Sequence, residues 1–308
     1  MTPGMWTVSI GFAGVALVVL LLNVIPAYRA SRVTTLAKSV GLAVTPELAR
    51  PLASRLTKRA VISWVGAIVA LIAVVVAVQL GALPSSGEAS NASDLWLIFG
   101  GITIGFAAGA IVNALILTSV LPAGDRYARS GAVEVSDYLA PIDLVGARIA
   151  VAVGLVALVA WFVLVGSGVV TPDALISVGV VVIALAVVSL GVFELATRRI
   201  IERGQPVASP TELAWDDALR AMSMRSIAGA PLSLGVWGAL ALSIDLAELT
   251  YADPSAGTGA FIVVVAAGIL VFVGIFAAAV VSIATKPQQH YLRRLWPEVA
   301  AAPIAKAV

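Results

Sequence analysis

Trp215, Asp216, Asp217 and Arg220 place an indole, two adjacent carboxylates and a guanidinium within two helical turns of a chain that is 60% hydrophobic and only 12% charged. Adjacent aspartates can hold Mg²⁺ through water. Together with Asp125, Asp137 and Asp143 they would suit a lipid-modifying membrane enzyme. Balanced charge beside an indole suits a protein contact better, so the four residues are assigned to a partner surface. Asp245 and Glu248 lie three apart, on one helix face. With Asp253 they form a candidate outer cation site.

Other reactive constellations are missing from the sequence. One histidine, His290, and no cysteine cannot build a common zinc site. No Ser–His pair, phosphate-binding Gly-Lys-Ser/Thr loop or dinucleotide fingerprint occurs. The expectation is a non-enzymatic protein with no metal, cofactor or catalytic residue.

The elements that must position these residues are long apolar stretches. A mean hydropathy of +1.05 exceeds anything a soluble core can hide. Seven stretches reach the length of about 20 residues that a bilayer requires. They cover 5–27, 61–83, 95–121, 148–170, 174–195, 228–247 and 258–284. All 19 Lys and Arg residues fall in or beside the connections 28–60, 122–147 and 196–227 or after residue 284. Lys and Arg concentrate on the cytoplasmic side of cell membranes. The fold expected is therefore an all-α polytopic integral membrane helical bundle, with an outer N-terminus and a cytoplasmic C-terminus. The plasma membrane of a bacterium is the expected location. The net charge of +2 is too small for a nucleic-acid partner. The lipid bilayer itself is the expected partner of the basic residues.

The inner connections share a pattern: a Gly, a helix-start signal, then a base before the next span. Helix starts fall at Thr45-Pro46-Glu47, Ser136-Asp137 and Ser209-Pro210-Thr211-Glu212. Ser and Thr cap free amides, and Pro suits the first helical position. Amphipathic loop helices are expected over 46–59, 136–147 and 210–225, lying in the headgroup layer or on a partner. This suggests three parallel span–loop–span hairpins plus a seventh span. The tail, 286–308, reads as an interfacial anchor, with Tyr291 and Trp296 at the lipid boundary and Arg293 and Arg294 toward phosphates.

Within the spans, Gly101, Gly105, Gly109 and Asn113 recur every four residues, a pattern that brings helix backbones together. Pro231 frees a carbonyl in the sixth span and could line a path with that row. Glu194 is expected to pair with Arg198, four residues on. Asn23 and Gln79, near span ends, are expected to reach the interface. Charge is nearly absent from the spans, which argues against an ion pump.

The reading that follows is a membrane component of a transport system. It would be permease-like or accessory, with inner loops contacting a cytosolic or membrane partner such as an ATPase. A structural subunit of a larger complex is the alternative. Either role is compatible with oligomers.

Overall fold

The computed structural model describes residues 3–83, 91–116, 133–167, 177–203, 205, 209–252, 268 and 285–298, and every regular element among them is helical. In order these are α1 (Pro3–Leu22), α2 (Pro26–Val40), α3 (Pro46–Gln79), α4 (Asn91–Ile116), α5 (Val135–Tyr138), α6 (Pro141–Gly166), α7 (Val178–Glu202) and α8 (Pro210–Ala252). A 3₁₀ turn, Pro287–Gln289, then leads into α9 (His290–Leu295).

Proline sets several of these starts. Pro26, Pro46 and Pro141 each occupy the first turn of a helix, after an extended residue. At Pro26 the chain bends by 95° between α1 and α2. Asn23 holds that bend. Its Nδ2 donates to Val19 O at 2.7 Å, and its Oδ1 accepts from Arg32 at 2.7 Å. Asn23 is therefore buried rather than turned to the interface, because a broken helix leaves carbonyls that need a donor.

Among the described residues, five helices are long and apolar enough to cross a membrane, or six if α1 and α2 form one bent span. The chain is a multi-pass membrane protein. The expected seventh span, 258–284, lies outside the described residues apart from Gly268.

The expected loop helices are not separate elements. Residues 46–59 open α3, and 210–225 open α8. At 1.5 Å per residue, the 43 residues of α8 reach about 65 Å, roughly twice the hydrocarbon thickness. A polarity change ends a membrane span without ending the helix. Pro51 and Pro231 both lie inside continuous helices. In the second loop, the helix start falls at Glu134 rather than Ser136. Glu134 and Asp137 form a reciprocal capping box over α5, and α6 then begins at Pro141. Ser209 does cap α8, accepting from Glu212 N at 3.2 Å.

Small residues bring the long helices together. A Cβ on Gly109 would lie 2.6 Å from Ser63 Cα, and one on Gly101 would lie 2.6 Å from Val74 Cγ2. Gly66 and Gly105 meet backbone to backbone between the same two helices. The glycine row of α4 is thus its contact surface on antiparallel α3. Gly235 of α8 sits against Ala150 of α6, and Gly179 of α7 sits against Leu242 of α8. α8 consequently touches α4, α6 and α7. The three expected hairpins do not pack alike: α7 and α8 run together, whereas α4 lies on α3 and α8.

Candidate functional site

The first turns of α8 lie at the end of the bundle that gathers the basic residues, and they form its polar centre. Successive helical residues point about 100° apart. Trp215, Asp216 and Asp217 therefore face three different neighbours. Trp215 Nε1 donates to Ala43 O, in the link between α2 and α3, at 3.1 Å. Asp216 turns toward α3 and α7. Its Oδ2 accepts from Arg220 Nε and Gln205 Nε2, both at 3.0 Å, and Arg55 stands 3.8 Å from its Oδ1. Asp217 turns toward α5 and the tail. It receives Tyr138 Oη at 2.9 Å, Gln205 Nε2 at 2.8 Å and Trp296 Nε1 at 2.9 Å.

Arg220 completes the centre. Besides Asp216, it donates to Ile200 O at 3.0 Å and to Arg203 O at 2.9 Å. Those two acceptors lie near and just beyond the C-terminal end of α7, where orphan carbonyls attract cations. One planar guanidinium thus joins two helices, a task for which the lysine ammonium has the wrong shape.

Trp215, Asp216, Asp217 and Arg220 are each 5% exposed or less. Sequence reasoning singled them out as a group but gave them to a partner. In the structure their partner is the chain itself, because the end of α7, α5 and the tail close over α8. A cytosolic protein has no access to these four side chains. The described part of the tail, residues 286–298, likewise turns inward. Tyr291 is 1% exposed, Trp296 binds Asp217, and Arg294 stands 3.6 Å from Asp137. His290 Nε2 lies 3.0 Å from Ser136 O. Burial, with help from the Asp217 carboxylate, pushes the Tyr291 phenol above its ordinary range.

The acids of the lipid-enzyme reading do not converge among the described residues. Asp143 pairs with Arg225 at 3.3 Å, Asp137 with Arg294, and Asp216 with Arg220. No group of three metal-ligating side chains occurs among the described residues. Asp125 lies outside them, as do Asp253 and the side chain of Glu248, so of the outer cation set only Asp245 is placed, half-buried on α8. Glu194 pairs with Arg148 of α6 at 2.6 Å rather than with Arg198. An antiparallel neighbouring helix offers it a better approach than the next turn of its own helix.

Beside this centre lies a cleft of about 200 Å³ between α3, α4, α7 and α8. Arg55, Lys58, Arg59, Arg203 and Arg220 line it, with Asp216 as the only acid in its wall among the described residues. Asn113, the last member of the glycine row, faces the same cleft. Arg59 also borders a second cavity of about 360 Å³, which the tail residue Pro287 helps to line. Its Nη2 donates to Met222 O at 2.9 Å and to Ser226 Oγ at 2.8 Å. Its Nη1 is buried with no hydrogen-bond partner among the described residues. The sequence analysis gave the bases of the expected 46–59 loop helix, Arg55, Lys58 and Arg59 among them, to the lipid headgroups or a partner rather than to a site. Their spacing of three and four puts Arg55, Lys58 and Arg59 on one face, a signal that pointed to a site as much as to lipid.

No protein-family model matches the chain, and no curated protein or solved structure shows significant similarity to it.

Proposed function

We propose that this protein is a membrane component of a transport system, and that the basic cleft is where an anionic solute or headgroup enters the bundle. The cleft itself carries this reading. Among the described residues, five cations face one carboxylate at the meeting point of four helices, all of which are long and apolar enough to span. The positive-inside rule assigns this end to the cytoplasmic face of the plasma membrane. The cleft is then an inner vestibule that Asn113 lines, and the glycines of the row continue from it along α4.

Proteoliposomes offered labelled inorganic and organic anions test the reading. Saturable uptake that Arg55→Gln slows about tenfold supports it. Absence of uptake for every anion counts against it.

One observation favours a structural subunit instead. Between residues 60 and 79 of α3, 95 and 115 of α4, and 149 and 166 of α6 there is no charged side chain. Interhelical contacts there are closed by glycine rather than opened by polar groups. Co-migration with a large assembly on native gels, together with absent uptake, selects this second role.

A further inference from the structure

We propose that the cleft between α3, α4, α7 and α8 binds a phosphate group, presented either by an anionic phospholipid or as free phosphate. The proposal deepens the transport reading by naming the chemistry that the cleft accepts.

Charge balance comes first. Asp216 is already committed to Arg220 and Gln205, with Arg55 beyond them at 3.8 Å. Of the five cations that line the wall among the described residues, Arg220 is the one held by that carboxylate at hydrogen-bond distance. Arg55, Lys58 and Arg59 lie within about one turn of α3 and line the same space. A single carboxylate ligand would leave most of this charge unmatched, whereas a phosphate carries up to two negative charges and several acceptor oxygens. Guanidinium forks match phosphate oxygens in pairs.

The second observation is the orphan donor. Arg59 Nη1 is buried without a hydrogen-bond partner among the described residues. Leaving a buried charged donor unpaired is costly. Arg59 lines the cleft, and an anion seated there would supply the missing acceptor after a small shift of the guanidinium. Its other nitrogen is anchored on α8 through Met222 and Ser226, which holds the guanidinium in place before a ligand arrives.

Size gives the third constraint. Pockets for drug-sized ligands enclose about 300–1,000 Å³. A cleft of about 200 Å³ suits a headgroup or a small phosphate rather than a nucleotide. Its position also fits a lipid source, because basic pockets between spans on the inner side collect anionic headgroups.

The test uses the purified full-length chain in neutral detergent. Short-chain phosphatidic acid, inorganic phosphate and short-chain phosphatidylcholine are titrated separately by calorimetry. Saturable binding of phosphatidic acid, weakened at least tenfold by Arg59→Gln and by Lys58→Gln, supports the lipid source. Equal binding of inorganic phosphate with the same losses supports the free anion. No saturable binding of either anion, or binding that neither variant weakens, overturns the proposal. Lys58 has an exposed side chain outside the buried network, so its variant decides the matter if Arg59→Gln does not fold. Phosphate binding without any flux retains this inference while removing the transport reading. Flux of another anion without phosphate binding does the reverse.

Discussion

Trp296 donates its indole N–H to Asp217 Oδ2 at 2.9 Å, across 79 residues of sequence. This bond ties the tail to the first turns of α8 and closes the polar centre from one side. Trp296→Phe keeps the ring and removes the donor. A hydrogen bond to a charged group is worth about 1.5–3 kcal/mol. The variant should unfold at lower temperature in detergent, and protease should cut the tail sooner. Unchanged tail protection would show that the bond does not hold the tail.

Asp216 and Arg220 form the other half of the centre. Breaking a buried ion pair by removing one partner costs about 3–5 kcal/mol. Asp216→Ala should therefore lower the denaturation midpoint sharply. Arg220→Lys keeps the charge but loses the fork that reaches Ile200 O and Arg203 O. It should be destabilised by at least about 1 kcal/mol. Wild-type stability in Arg220→Lys would mean that charge alone suffices.

Glycine contacts should be sharply position-dependent. Gly105→Val forces side-chain atoms into the α3 backbone at Gly66, where only a hydrogen fits. Overpacking of this kind costs about 1–3 kcal/mol or more. Gly191, on α7, has open space around it, so Gly191→Ala should be neutral or slightly stabilising. Thermal melts of the two variants make the comparison, and equal losses would contradict the close α3–α4 approach.

Tyr291 predicts an alkaline signature. Its phenol titrates higher when folded than when unfolded, because burial disfavours the phenolate. The stability it contributes is complete below the unfolded value of about 10 and is lost as pH rises through the higher folded value. Its hydroxyl has no hydrogen-bond partner among the described residues. Tyr291→Phe should therefore keep or raise stability at pH 7 and flatten the decline above about pH 10. A steeper alkaline decline in the variant would contradict this.

Long apolar helices over Pro46–Gln79, Leu95–Leu115 and Pro141–Gly166 were legible in the sequence because lipid demands continuous apolar composition. The glycine row was legible for a related reason, since its four-residue spacing has a direct packing consequence. Helix ends at the membrane boundary were not. Lys58 and Arg59 mark a change of solvent, and α3 passes through it unbroken. Local rules also chose the wrong partner for Glu194, because the better cation, Arg148, sits on another helix. The cluster at Trp215 to Arg220 was visible, but its partners were not. Tyr138, Gln205 and Trp296 are brought to it only by tertiary folding, and nothing in the α8 sequence encodes that.

The proposed role requires the basic cleft to open on the cytoplasmic face. The chain has no cysteine, so single-cysteine variants report cleanly. Lys58→Cys marks the cleft, and Ala82→Cys marks the opposite end of α3, just beyond Gln79. Each is treated with a membrane-impermeant maleimide in right-side-out and inverted vesicles. Lys58→Cys should react only in inverted vesicles and Ala82→Cys only in right-side-out ones. Labelling of Lys58→Cys from outside, or of both positions from one face, would rule out a cytoplasmic cleft.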